Sequence, residues 1–306
     1  MILENYSSML RIELAGGLGN QLFGYFAGKF LSSLKDSELA LDASSIDLKR
    51  TMFDLSSFDI DQRLEYSNQK MMLKRISRRA QGALDFHTPR LSLKIRSAAG
   101  ILYDEGYEIN SEQISRNRKS KITLRGYFQD PRYFLNLPQR EKEINLVNPS
   151  SWYSSKLKQI QSEHTIAIHL RFGDLLENLE SIGVLSVAYF ANALDILQVQ
   201  ARDRVWVISD DISRARQLLK RIDSGSFIYL DSPAAGDPAE SLLLMSKAQA
   251  IITANSTFSV WSGLLSSPDT EIVVPEIFHR GSNHRIVNLP STWKSIPSSW
   301  ITEENA

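Results

Sequence analysis

The chain has 306 residues, 42% of them apolar, enough to bury a sizeable core in two ordinary domains or one large one. Its 35 basic and 35 acidic side chains cancel, so no global field draws it to nucleic acid or to an anionic membrane, and any basic surface must be local. Cysteine is absent, which excludes a disulfide framework, a zinc–thiolate site and a cysteine nucleophile together and suits the cytosol.

The segment from Met1 to Leu14 carries Glu4, Asn5 and Glu13 and lacks the basic and continuous apolar regions of an export signal. No run of about 18 apolar residues occurs that would span a bilayer. The expected location is therefore the cytoplasm, with the protein soluble or at most peripheral. Leu10 to Leu14 reads as a short strand, followed by the turn Gly16-Gly17-Leu18-Gly19-Asn20-Gln21 and by Leu22, Phe23, Phe26, Phe30 and Leu34 at the helical period. A glycine turn between strand and helix lets backbone amides approach an anion. It is not a dinucleotide fingerprint, because the third glycine is missing at the required spacing and only Asp42 stands near the place of the ribose-binding carboxylate.

Leu39 to Leu41 is the next expected strand, ending at Asp42. Asp59-Ile60-Asp61 imitates the Asp-x-Asp metal signature, but it follows a serine-rich turn rather than an apolar strand and reads as surface carboxylates. From Lys70 to Arg96 run eight basic residues against the single acidic Asp85. This basic 70–96 tract is expected to be helical and has two readings: a solvated face, or peripheral contact with anionic lipid headgroups on the inner face of the membrane.

The polar, proline-containing segment Asn145 to Ser155 separates two halves, taken as domains 1–150 and 151–306. The second half alternates regularly. Thr165 to Leu170, Arg204 to Ser209, Ser226 to Leu230, Ala250 to Thr253 and Glu271 to Val274 read as buried strands, with helical patterns at 189–197 and 239–247 between them. Such alternation predicts an α/β fold with a doubly wound parallel sheet and a ligand at the strands' carboxyl ends.

Three clusters fall at those ends. In His169-Leu170-Arg171-Phe172-Gly173-Asp174, strand alternation puts His169 and Arg171 on one face, and Gly173 allows a turn that brings Asp174 back toward them. The plain reading is a salt-bridged arginine; the functional one is a converging cation, imidazole and carboxylate. In Ser209-Asp210-Asp211 one carboxylate caps the following helix, and the other is available to hydrogen-bond donors of a guanine edge or a ribose. Asn255-Ser256-Thr257-Phe258-Ser259 offers hydroxyls and free amides at a helix start, more than one cap requires, and so a phosphate site. The five histidines show no zinc spacing, and Gly-x-Ser-x-Gly is absent, so metallohydrolase and serine-hydrolase readings lack support.

In order and spacing these segments, together with Gly126-Tyr127-Phe128-Gln129, Tyr133-Phe134 and Leu244-Met245-Ser246, resemble the α-1,2-fucosyltransferases of glycosyltransferase family 11, over Gly16 to Gly263. The resemblance implies a GT-B fold, two facing Rossmann-like domains with the active site in their cleft, the donor held by the C-terminal half and the acceptor against the N-terminal half. It implies an inverting transfer of L-fucose from GDP-fucose to a galactose-type hydroxyl of an oligosaccharide or lipid-linked glycan, with no metal and no cofactor. By the motif match Arg171 would hold the β-phosphate with His169 and Asp174 beside it. Asp210 or Asp211 and the segment Asn255, Ser256, Thr257 and Ser259 would hold the rest of the nucleotide, and Gly17, Asn20 and Gln21, also donor-binding, would approach the sugar diphosphate from the other domain. Either His169 or Asp174 is a candidate general base. This chain departs from the family at Phe172, where a second arginine is usual, at Leu175, and at Val260-Trp261 in place of a tryptophan pair. Two other readings stay open: the same fold with another nucleotide sugar, and a glycan-binding protein that has lost catalysis.

Overall fold

The computed structural model describes residues 8–44, 46, 54–60, 63–65, 100–103, 112, 114, 116–222, 225–231 and 237–302. These form two compact units, 1–145 and 146–306. The basic tract 70–96 and Asp61 lie outside the described residues.

The first unit opens with β1 (Met9–Glu13), α1 (Leu18–Lys35) and β2 (Glu38–Asp42). A single 3-10 turn at Asp54–Ser57 precedes β3 (Arg63–Glu65), β4 (Ile101–Tyr103) and β5 (Lys121–Arg125). Two one-turn helices, α2 (Arg132–Leu135) and α3 (Gln139–Lys142), close the unit. Its five strands are all parallel in the order β3-β2-β1-β5-β4. Helix α1 is buried nearly all round over its first three turns, Leu22, Phe23 and Phe26 being almost inaccessible, and each such side chain stabilises by roughly 1.5–3 kcal/mol. It lies so close to the sheet that a Cβ on Gly28 would stand 2.8 Å from Leu39 and 2.9 Å from Ile12. The helix ends at Asp36, which takes a left-handed conformation (φ 51°) and turns its amide back onto the carbonyls of Ser32 and Ser33.

The second unit runs α4 (Ser151–Ser162), β6 (Thr165–Leu170), a 3-10 segment (Gly173–Asn178), α5 (Val187–Ile196), β7 (Arg204–Ser209), α6 (Ile212–Leu219) and β8 (Phe227–Tyr229). It continues with α7 (Pro238–Met245), β9 (Ala250–Ile252), α8 (Thr257–Leu264), β10 (Glu271–Pro275) and β11 (Lys294–Ile296). All six strands are parallel, in the order β11-β10-β9-β6-β7-β8. Read from β8, this is 3-2-1-4-5-6, the order of a mononucleotide-binding Rossmann sheet, with its reversal between β6 and β9. Strand β6 is buried at every residue, as a central parallel strand covered on both faces must be. Among the described residues no helix is long and apolar enough to cross a membrane.

Most expected strands appear with ends shifted by one residue or two. The first half differs more. β3 (Arg-Leu-Glu) and β5 (Lys-Ile-Thr-Leu-Arg) begin and end on charged residues and hold no apolar run that would mark them in the sequence.

Candidate functional site

The carboxyl ends of β6, β7 and β9 and the start of α7 surround a cavity of about 350 Å³ lined by His169, Arg171, Ser209, Asp210, Asp237, Ser241, Ser256 and Phe258, with Ile208 and Pro238 completing the wall. It sits at the point where the strand order reverses, where open α/β sheets bind their ligands. His169 and Arg171 both face it, as alternation along β6 requires. Arg171 donates to the Ser256 hydroxyl at 3.4 Å, joining the β6 end to the β9 end across the reversal.

His169 is 6% exposed and stacks on Phe258 with ring centroids 4.9 Å apart. Burial first, and the Arg171 charge second, push its pKa down to about 3. It is therefore a neutral imidazole with its buried Nδ1 unpartnered, able to donate or accept one hydrogen bond but a weak base. Nothing is described of the Asp174 side chain.

The two aspartates after β7 separate cleanly. Asp211 caps α6, accepting from the Arg214 amide at 2.9 Å. Asp210 reaches the β6 turn instead, accepting from the Phe172 amide at 2.9 Å. A Cβ on Gly173, whose φ is +23°, would lie 2.8 Å from Asp210 Oδ2. Glycine is thus required there both by backbone conformation and by the carboxylate beside it. The carboxylate that sequence reasoning gave to the nucleotide braces the segment that presents Arg171, while remaining on the cavity wall.

Phe172, at the usual position of a second family arginine, is 1% exposed and belongs to the hydrophobic core with Ile168, Leu170 and Phe190. Its side chain lies among the core residues, whereas Arg171 lines the cavity. A cation at 172 would enter the core unless the turn were rebuilt, so the phenylalanine removes no charge from this cavity.

The segment 255–259 also divides. Asn255 donates both amide hydrogens to backbone carbonyls, Gly183 at 3.0 Å and Phe278 at 3.1 Å. Ser259 is fully buried and bonded within the loop to Ala254 and Ser256. Ser256 caps α8, and Thr257 begins it half-buried. Ser256, with Arg171 beside it, and Phe258 are the members of the segment that line the cavity. Asp237, Pro238 and Ser241 were missed from sequence; Asp237 caps α7 through the Ala239 amide at 2.9 Å with Pro238 following it. Aspartate followed by proline ahead of an apolar helix is a helix-start signal that would have found it.

In the first unit the corresponding reversal lies between β1 and β5. Gln21 is buried and donates to the Gly16 carbonyl at 2.9 Å, pinning the glycine turn, and Gly17 is exposed. Asn20 accepts from Gln129 at 2.9 Å, which ties the glycine turn to the loop after β5. Among the described residues no three carboxylates or imidazoles gather as a metal site would need, and Asp59 is an exposed residue whose amide meets the Asn145 carbonyl.

Two parallel Rossmann-like sheets, one with a cation-bearing cavity at its strand reversal, define an α/β protein of the GT-B type. Among solved structures the chain resembles a mutant of Arabidopsis thaliana FUT1 in complex with GDP, with a TM-score of 0.52, 15% identity, and 87% of this chain and 70% of that one covered; at that identity the likeness is one of fold. The family model for glycosyl transferase family 11 matches residues 9–285, and the chain belongs to that family. It is 28% identical over 305 residues to an Escherichia coli alpha-1,2-colitosyltransferase, covering 94% of this chain and 99% of that protein. To the Escherichia coli O-antigen biosynthesis glycosyltransferase WbnK it is 28% identical over 312 residues, covering 91% and 97%.

Proposed function

We propose that this glycosyltransferase inverts the anomeric centre of a GDP-sugar, GDP-L-fucose first, and forms an α-1,2 linkage to a galactose-type unit of an oligosaccharide or lipid-linked glycan, without a metal ion. The observation that carries the reading is Arg171, held between the end of β6 and Ser256 and facing the 350 Å³ cavity. Breaking the sugar–phosphate bond puts negative charge on the leaving diphosphate, and a fixed cation with nearby amide dipoles stabilises that charge more in the transition state than in the ground state. His169, neutral at working pH, orients the nucleotide by a hydrogen bond rather than taking the acceptor's proton. The donor lies in the second unit and the acceptor against the first, near Gly17, Asn20 and Gln129. A role in building a surface polysaccharide fits the O-antigen relative.

The alpha-1,2-colitosyltransferase relative favours a second donor, GDP-colitose, which differs from GDP-fucose by lacking the sugar's 3-hydroxyl. Turnover of both donors with a panel of galactose-terminated acceptors, and NMR of the product linkage, separates the two. Fucosyl transfer to O2 is the expected result. Preference for the 3-deoxy donor would replace fucose by colitose, and transfer from neither would overturn the donor class.

A further inference from the structure

The loop that follows β5 has an unusual division of its side chains. Phe128 is fully buried, Gln129 is 8% exposed and Asp130 1% exposed, while Tyr127 stands out with 46% of its surface accessible. Among the residues whose burial is described, no other phenylalanine, tyrosine or tryptophan is exposed. The arrangement is held against a local penalty, because Phe128 adopts a left-handed backbone (φ 51°), which a bulky residue takes only where its surroundings impose it. Two interactions impose it: Gln129 donates to Asn20 of the glycine turn, and the Asp130 carboxylate is gripped by Arg132 through Nε at 2.9 Å. The backbone that follows Tyr127 is therefore held in place, and its side chain is exposed at the carboxyl end of β5 next to β1, where the first sheet reverses its strand order. A lone exposed aromatic on an ordinary surface needs no explanation. One that precedes a strained residue, in a loop whose Gln129 is tied to Asn20 at a sheet's ligand-binding end, does.

We propose that Tyr127 is the stacking platform for the acceptor's galactose-type ring, with Asn20 and Gln129 as the polar groups beside it; this rests on the reading of the protein as a glycosyltransferase acting on such an acceptor. In galactose the axial 4-hydroxyl leaves the hydrogens of C3, C4 and C5 on one face, and that apolar face is the part of a sugar that an aromatic ring desolvates well. Packing that face on the ring leaves O2 at the sugar's edge, unobstructed for attack. A glucose-type ring keeps the C3 and C5 hydrogens on this face but turns its C4 hydrogen to the other, so the apolar contact it offers there is smaller. Tyr127 thereby selects the acceptor and takes no part in bond making.

The test compares wild type with Tyr127→Ala and Tyr127→Phe, using lactose, N-acetyllactosamine and maltose as probes. Ligand-observed NMR of sugar binding needs no donor and no turnover, so it reads Tyr127 even if the donor assignment is wrong. Wild type is expected to bind the two galactosides and not maltose. Tyr127→Ala is expected to lose that binding and to raise the acceptor KM by about ten-fold or more, with GDP affinity unchanged. Tyr127→Phe, which keeps the ring face, is expected to return the acceptor KM to within about two-fold of wild type. The proposal is overturned if wild type binds neither galactoside, if the alanine variant binds them as wild type does, if phenylalanine is as damaging as alanine, or if the alanine variant weakens GDP equally.

Discussion

Gly173→Ala examines how the Arg171 segment is held. The added methyl group would stand 2.8 Å from Asp210 Oδ2 at a residue whose φ is +23°. Forcing an L-residue into a left-handed backbone costs roughly 1–2 kcal/mol. The carboxylate must also withdraw from the Phe172 amide, now 2.9 Å away, and a hydrogen bond to a charged group contributes roughly 1.5–3 kcal/mol. Together these give a loss of about 2.5–5 kcal/mol, a large part of a domain's stability. In an Asp210→Ala background the methyl meets no carboxylate, so Gly173→Ala should then cost only the conformational part, about 1–2 kcal/mol. Urea unfolding of wild type, the two single variants and the double variant measures this. All five tryptophans, at 152, 206, 261, 293 and 300, lie in the second unit, so their fluorescence reports that unit alone. Strict additivity, or a single-variant loss under about 0.5 kcal/mol, would refute the bracing role of Asp210.

Phe172→Arg is expected to destabilise the second unit by about 3 kcal/mol or more without tightening GDP binding, since it buries a guanidinium in the core rather than adding a cation to the cavity; thermal unfolding and calorimetric titration with GDP decide it. Asn255→Ala should cost about 2–3 kcal/mol in urea unfolding, because the Gly183 and Phe278 carbonyls lose their donor inside the fold. Acid should weaken the second unit through His169. Its folded-state pKa of about 3 lies below the ordinary 6.5, so the unfolded chain binds the proton first. The stability contributed by the neutral imidazole is complete above pH 6.5 and is lost as pH falls toward 3, with a slope approaching about 1.4 kcal/mol per pH unit. His284, lowered to about 4 by burial and by His279, acts in the same direction. The His169→Gln variant should show a shallower slope over that range in urea midpoints.

The second half of the chain was the more legible because central parallel strands announce themselves. Thr165–Leu170 and Arg204–Ser209 are built around the apolar runs Ile166–Ile168 and Val205–Ile208, and the structure places both with the expected ends. The alternation that carried His169 and Arg171 to one face also holds. What sequence could not give was the destination of side chains once the turns formed. Asp210 and Asp211 are chemically identical neighbours, and only the path of the β6 turn decides that one braces Phe172 while the other caps α6. Asn255 and Ser259 read as phosphate ligands, yet Asn255 donates to the carbonyls of Gly183 and Phe278, which lie close only in three dimensions, and Ser259 turns inward to its own loop at Ala254 and Ser256. Position 172 looked like a missing cation because a motif shows which residues recur and not which way each points. In the first half, β5 pairs with both β1 and β4, contacts that a five-residue segment does not signal locally.

The most direct measurement of the central claim is acceptor-dependent GDP release from GDP-fucose or GDP-colitose in EDTA, wild type against Arg171→Ala. Release that persists in EDTA and falls by about 10²–10³-fold in the variant is the expected result, that being the loss when one fixed charge-stabilising group is removed. Release that EDTA abolishes, or that Arg171→Ala leaves intact, would contradict the assignment of leaving-group stabilisation to this arginine.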